Sequence, residues 1–175
     1  MSDRDAGELL RDALNDPADD IHLLAYSMLE QKEKSLARQY RRLQLALEDP
    51  ESKNPSRLKR RLALVWWEMS YLGLAQGSLR SYYLESARRL LLELPDTLEM
   101  HNYWRLLGRV ELTLGNIIAA KSAFENALAK GAPQELILPY QAEVAFLERD
   151  FQKVRFCLAS LTHYRPHQNV RAVIE

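Results

Sequence analysis

The second half of the chain repeats itself at an offset of about 34 residues, and this period constrains the fold more than any other feature. The offset places Gly108 against Ala142 and Phe124 against Leu158, and short turns with glycine or proline separate the apolar segments. A repeat of this length holds one helix hairpin, and such hairpins bury their apolar faces only by stacking on neighbours. The period therefore predicts a stack of antiparallel helix pairs.

Apolar residues at three- and four-residue steps predict a first helix between Asp20 and Asp49. The polar, proline-containing stretch 48–56 predicts a loop, with Ser56 as the N-cap of a second helix that runs to about Gln76. Two apolar stripes on that second helix indicate that it lies between two neighbours or carries a binding surface. Further along the chain, Gly131 predicts the end of a helix.

The segment with Trp104, Leu107, Gly108, Ala120, Phe124 and Ala127, and the segment that follows it, resemble the tetratricopeptide repeat family. The first unit meets the family pattern at Trp104, Leu107, Gly108, Ala120, Phe124, Ala127 and, one place late, Pro133. The second unit meets it at Ala142, Ala145, Asp150, Phe151, Leu158 and Pro166. Gly115 and Asn116 fall where the family turns between its helices, whereas Glu111 replaces the family's usual tyrosine. The resemblance is clear over residues 101–166 and degenerate upstream.

The resemblance implies an all-α fold, a right-handed superhelical array of antiparallel helix hairpins with additional helices at the amino end. We expect clear repeats at 101–134 and 135–168 and a degenerate repeat at about 57–94. These belong to a single helical domain, 20–175, preceded by an acidic arm or short helix, 1–19. The implied function is that of a scaffold, adaptor or assembly subunit.

Composition narrows the class of protein further. The 175 residues carry 24 basic and 24 acidic side chains and one cysteine, Cys157. The amino terminus is acidic, whereas a secretory leader is basic and then apolar. No apolar run is long enough to cross a membrane. We therefore expect a cytoplasmic protein. A single thiol agrees with a reducing compartment, and its apolar neighbours predict that Cys157 is a small core side chain.

Catalytic and metal-binding patterns are sparse. The sequence has no glycine-rich phosphate loop, no GxSxG turn and no HExxH pair. His163 and His167 have a metal-ligand spacing, but Pro166 between them favours a solvated loop. We expect no enzymatic activity, no cofactor and no metal.

Two surfaces are candidates for a partner. In the family, the first helices of successive hairpins line a groove, and the resemblance implies groove positions at Asn102, Arg105, Arg109, Tyr140 and Glu143. The second candidate is the stretch 32–61, with ten basic residues against four acids. Its candidate ligand-binding residues are Arg41, Arg42, Arg60 and Arg61.

The basic stretch has two interpretations. One is a solvated helix face covered by the acidic arm, and the other is a site for an anionic partner. The expected anion is an acidic protein segment, because only Tyr40 interleaves the basic residues and the chain has no net charge. A nucleic-acid-associated regulatory protein remains the alternative function. Seven aromatic residues lie between 66 and 104. The sequence leaves two interpretations of this cluster open, which are packing in the core and a homodimer interface.

Overall fold

Apolar residues at helical spacing form helices throughout the part of the chain that the structure describes. The computed structural model describes residues 19–49, 54–94 and 100–163. Within these ranges 85% of the residues are helical and no strand occurs, which confirms the predicted all-α class. The helices are α1 (Asp19–Glu48), α2 (Pro55–Tyr71), α3 (Gly77–Leu92), α4 (Met100–Thr113), α5 (Ile117–Ala129), α6 (Leu138–Leu147) and α7 (Phe151–His163).

The chain divides into two compact units, Met1–Pro95 and Asp96–Glu175. The boundary falls between the predicted degenerate repeat and the predicted clear repeats. Residues 1–18 of the predicted acidic arm, 1–19, lie outside the described residues. Residues 164–168, at the end of the predicted repeat 135–168, also lie outside them.

In the first unit, α2 lies between α1 and α3. This arrangement explains its two apolar stripes and confirms the prediction that the helix is sandwiched between neighbours. The buried apolar side chains of the three helices include Leu36, Leu43, Leu62, Val65, Trp66, Trp67, Leu84, Ala87 and Leu91. The aromatic rings of Tyr40, Trp66 and Tyr83 link the three helices, one ring from each.

Both predicted ends of α2 are corrected by the structure. The helix begins at Pro55, and its N-cap is Asn54, whose side-chain oxygen accepts a 3.2 Å hydrogen bond from the backbone N–H of Arg57. Ser56 was the wrong N-cap because proline suits the first helical position, where its missing N–H costs nothing. The helix ends at Tyr71 rather than near Gln76, since Gly73 adopts a left-handed φ of 74°.

In the second unit, α4 packs against α5 and α6 packs against α7. Gly115 and Gly131 both have positive φ, 83° and 87°, and so provide the predicted turn and helix stop. The main core cluster joins both hairpins through Phe124 of α5 and Tyr140 of α6, whose rings stack at 5.2 Å. A second cluster lies between α6 and α7 and includes Leu138 and Cys157.

The two repeats differ where the offset pairs Phe124 with Leu158. Phe124 is 1% exposed, whereas Leu158 is 51% exposed. The physical reason is the neighbouring helix: α6 covers Phe124 with Tyr140, and within residues 100–163 no helix follows α7 to cover Leu158. In α7 the buried side chain is Cys157 instead, as the sequence predicts for that thiol.

Candidate partner-binding surfaces

The implied groove residues lie on the first helices of the two hairpins. Asn102, Arg105 and Arg109 lie on α4 and are half-buried. On α6, Tyr140 is buried and Glu143 is half-buried. Steps of three and four residues separate the α4 positions, so the three side chains follow one side of that helix.

The structure brings one pair of these residues from α4 and α6 together. The guanidinium carbon of Arg109 lies 5.5 Å from the centre of the Tyr140 ring, at a distance typical of a cation–π contact. Because Tyr140 also stacks on Phe124, its ring belongs to the core and presents little surface to a ligand. In the implied groove, the side chains that can contact a ligand are therefore the half-buried polar ones around Tyr140.

Glu111, which stands where the resemblance implies a tyrosine, is buried near the end of α4. Its side chain is 3% exposed, and its carboxylate accepts a 2.7 Å hydrogen bond from the Asn116 amide nitrogen. Asn116 is the N-cap of α5, but its side chain makes no capping bond. The buried carboxylate thus binds the turn between α4 and α5 in place of an aromatic contact.

The candidate basic residues lie on α1 and α2. Arg41, Arg42 and Arg61 are exposed, and Arg60 is half-buried. Lys32 pairs with Glu68 at 3.3 Å, and the later Tyr40 meets the earlier Trp66 with ring centroids 6.4 Å apart, so the two helices run in opposite directions. This packing places the end of α1 beside the start of α2, so the four arginines lie at the same end of the helix pair.

The three described lysines of the basic stretch each make an ion pair. Lys32 pairs with Glu68, Lys34 with Glu30 and Lys59 with Glu93, at 3.3, 2.6 and 3.3 Å. These contacts neutralise part of the stretch. Among the described residues of the stretch, Arg41, Arg42 and Arg61 are exposed, and arginines bind carboxylates through paired hydrogen bonds.

Three of the seven aromatic residues between 66 and 104 are buried. Trp66, Trp67 and Tyr103 are buried, whereas Tyr82 is 59% exposed. Tyr40, packed near this group, has a raised pKa because burial removes its hydroxyl from water and because Tyr83 and Tyr82 lie nearby. Core packing accounts for the three buried rings.

Cys157 is a buried free thiol. Burial raises its pKa, an effect that nearby Lys153 opposes and Asp150 reinforces. In the described ranges no three His, Cys, Asp or Glu side chains are grouped to hold a metal ion. His167 and the side chain of His163 lie outside what the structure describes.

Comparison of the chain with protein-family models, with curated proteins and with solved structures found no match. The tetratricopeptide resemblance therefore rests on the residues of this chain alone and stays a prediction. A search of the described helices found none long and apolar enough to cross a membrane.

Proposed function

We propose that this protein is a non-catalytic protein-interaction module of tetratricopeptide-like hairpins, acting in the cytoplasm as a scaffold, adaptor or assembly subunit. Its hairpins form a right-handed superhelical array, and the first helix of each contributes to a groove for a peptide or protein segment. The buried free thiol of Cys157 supports a reducing compartment.

The contact between Arg109 and Tyr140 is the observation that carries this proposal. It joins the first helices of two successive hairpins, α4 and α6, at residues that the family resemblance assigns to one surface. The tyrosine ring holds the guanidinium in place, so less side-chain entropy is lost when a ligand binds nearby. Arg105, one turn earlier on α4, supplies a second cation for a carboxylate of the ligand.

The partner segment is acidic. Its carboxylates match Arg105 and Arg109 on the groove and, separately, the exposed arginines at the α1–α2 end. Arg41, Arg42 and Arg61 make no ion pair within residues 19–49, 54–94 and 100–163 that competes with such a ligand.

A photocrosslinking amino acid at position 105 tests the groove in the native host. Position 122 is the matched control, because Ser122 is exposed on α5, the second helix of the same hairpin. We expect a discrete protein adduct from position 105 and none from position 122. The Arg105→Glu variant should recover the same partner at least about tenfold less well, whereas Ser122→Glu should recover it normally. Equal adducts at both positions, or turnover of a small molecule by the isolated protein, would contradict the proposal.

The alternative is a nucleic-acid-associated regulatory protein that uses the stretch 32–61. The exposed arginines at the α1–α2 end are the specific observation in its favour. Replacing Arg41, Arg42, Arg60 and Arg61 by alanine decides between the two. Submicromolar binding of DNA in 0.15 M salt that this replacement abolishes would favour the alternative; binding of an acidic peptide that it abolishes would favour the interaction module.

A further inference from the structure

The hairpin α6–α7 exposes large apolar residues where the hairpin α4–α5 covers them. The 34-residue offset pairs Leu112 with Phe146, Ile117 with Phe151, and Phe124 with Leu158. In the first hairpin, Leu112 and Phe124 belong to the main core cluster and Ile117 packs against it. In the second hairpin, Phe146, Phe151 and Leu158 are 60%, 54% and 51% exposed.

These three exposed residues, which we call the α7 face, lie close together. The rings of Phe146 and Phe151 meet edge to face across the turn between α6 and α7, with centres 6.2 Å apart. Phe151, Arg155 and Leu158 are separated by four and three residues, so they follow one side of α7. Large apolar side chains grouped in this way on a protein surface mark an interaction site.

The first hairpin shows what kind of element covers such a face. There the covering element is the helix α6, whose Tyr140 ring stacks on Phe124. Just past the end of α6, a carboxylate oxygen of Glu148 accepts a 3.2 Å hydrogen bond from Nζ of Lys121 on α5. The earlier residue of α5 meets the later residue of the covering segment, so α6 runs antiparallel to α5.

Arg155 places a positive charge beside the α7 face. The offset pairs it with Lys121, so both hairpins have a cation at this position. Lys121 is paired with Glu148, whereas Arg155 is exposed and makes no ion pair within residues 100–163. A covering helix with a carboxylate at the matching position would complement this charge, because arginine binds carboxylates through paired hydrogen bonds.

We infer that the α7 face binds an amphipathic helix of a partner protein, in the way that α5 binds α6. The partner helix runs antiparallel to α7 and places an aromatic or large aliphatic side chain on Leu158. About two turns later, it places a carboxylate against Arg155. This inference goes beyond the proposed function, because the α7 face contains none of the groove residues of α4 and α6.

A synthetic peptide with the sequence of residues 133–150 is the probe, because it contains α6 together with Tyr140 and Glu148. A lactam bridge between positions 142 and 146 holds the peptide helical and lies on the side of the helix away from Tyr140. Fluorescence anisotropy of the labelled peptide measures its binding to the full chain. We expect saturable binding with a dissociation constant below about 50 µM.

Substitutions on the α7 face and in the peptide test the mode of binding. Leu158→Asp should weaken binding at least about tenfold, and Arg155→Glu at least about fivefold. A peptide with Glu148→Arg should bind the Arg155→Glu chain at least about fivefold more tightly than the original peptide does, because the opposite charges are exchanged but still paired.

Two control variants of the chain make the same change of charge elsewhere. Arg80→Glu lies at an exposed position of α3, and Arg105→Glu lies in the implied groove. Both should bind the peptide as the natural chain does, and circular dichroism should show native helix content in all variants. A loss with Arg105→Glu as large as that with Arg155→Glu would place the peptide in the groove and overturn the inference.

Other results would also overturn it. These are a natural chain that does not bind the peptide, equal binding by Leu158→Asp, and an Arg155→Glu chain that the exchanged peptide does not rescue. A natural chain that sediments as a dimer, which Leu158→Asp dissociates, would assign the α7 face to a second copy. Binding that appears only after Val170→Asp with Ile174→Asp would assign it to residues 164–175 of the chain itself.

Discussion

Gly108 on α4 and Phe124 on α5 approach so closely that no side chain fits between them. A methyl group on Gly108 would lie 2.5 Å from Cε1 of the Phe124 ring and 2.7 Å from Cδ1. The helices of the first clear hairpin are therefore in contact through backbone and ring. This geometry explains why the repeat has its smallest residue at this position.

Gly108→Ala is expected to destabilise the protein by about 1–3 kcal/mol, because the new methyl group overpacks the Phe124 ring. The sign of this change in the free energy of unfolding is informative, because alanine ordinarily stabilises a helix interior relative to glycine by about 1 kcal/mol. Urea denaturation followed by circular dichroism measures the change. As a control, Gly115→Asn at a turn with open space and a φ of 83° should change stability by less than about 1 kcal/mol. A stabilised Gly108→Ala variant would contradict the close approach.

The unequal burial of two equivalent repeat positions gives a second prediction. Phe124→Ala should lower the free energy of unfolding by about 3–5 kcal/mol, because the ring fills the space between Gly108 and Tyr140. Leu158→Ala, 34 residues later, should cost less than about 1 kcal/mol because half of that side chain is exposed. Denaturant midpoints of the two variants check this. Similar losses at both positions would mean that Leu158 is covered.

The corrected start of α2 gives a third prediction. Asn54→Ala removes the side-chain oxygen that accepts from the Arg57 backbone, and the expected loss is about 1 kcal/mol. Ser56→Ala, at the position that the sequence favoured as the cap, should change stability by no more than about 0.5 kcal/mol. Thermal unfolding of both variants distinguishes them. A larger loss of stability in Ser56→Ala than in Asn54→Ala would indicate that Ser56 is the N-cap.

The buried thiol gives a fourth prediction, concerning pH. Burial raises the pKa of Cys157 above that of the unfolded chain, so the unfolded state loses its proton first as pH increases. The favourable contribution of the protonated thiol is present below the unfolded pKa and is lost as pH rises through that value toward the folded one. The stability of the natural chain should therefore fall between pH 8 and pH 10 relative to Cys157→Ala.

Urea titrations at pH 7, 8, 9 and 10 measure this difference, with Cys157→Ala as the reference at each pH. A thiol reagent should also modify the folded protein much more slowly than the unfolded one at pH 8, because the thiolate is both buried and disfavoured. Parallel pH profiles for the two proteins, or fast modification of the folded chain, would show that Cys157 is accessible.

Part of the candidate site was predictable from sequence. The family resemblance placed Arg109 and Tyr140 on the first helices of successive hairpins, and in the structure the guanidinium carbon of Arg109 lies 5.5 Å from the centre of the Tyr140 ring. It did not predict that Tyr140 is buried, because its cover by the Phe124 ring depends on how α5 and α6 pack. The pairing of Lys59 with Glu93 was also beyond prediction, because 34 residues separate the partners.

The sequence by itself determined the helices, since the spacing of apolar residues and the conformational preferences of glycine and proline act over only a few residues. Helix α1, the hairpins after residue 100 and the stop at Gly131 follow from these local causes. Tertiary structure decided which side chains of each helix are covered. Leu158 and Phe124 are paired by the 34-residue offset, yet within residues 100–163 Phe124 has a helix across from it and Leu158 does not, because burial depends on a neighbour that no local pattern encodes.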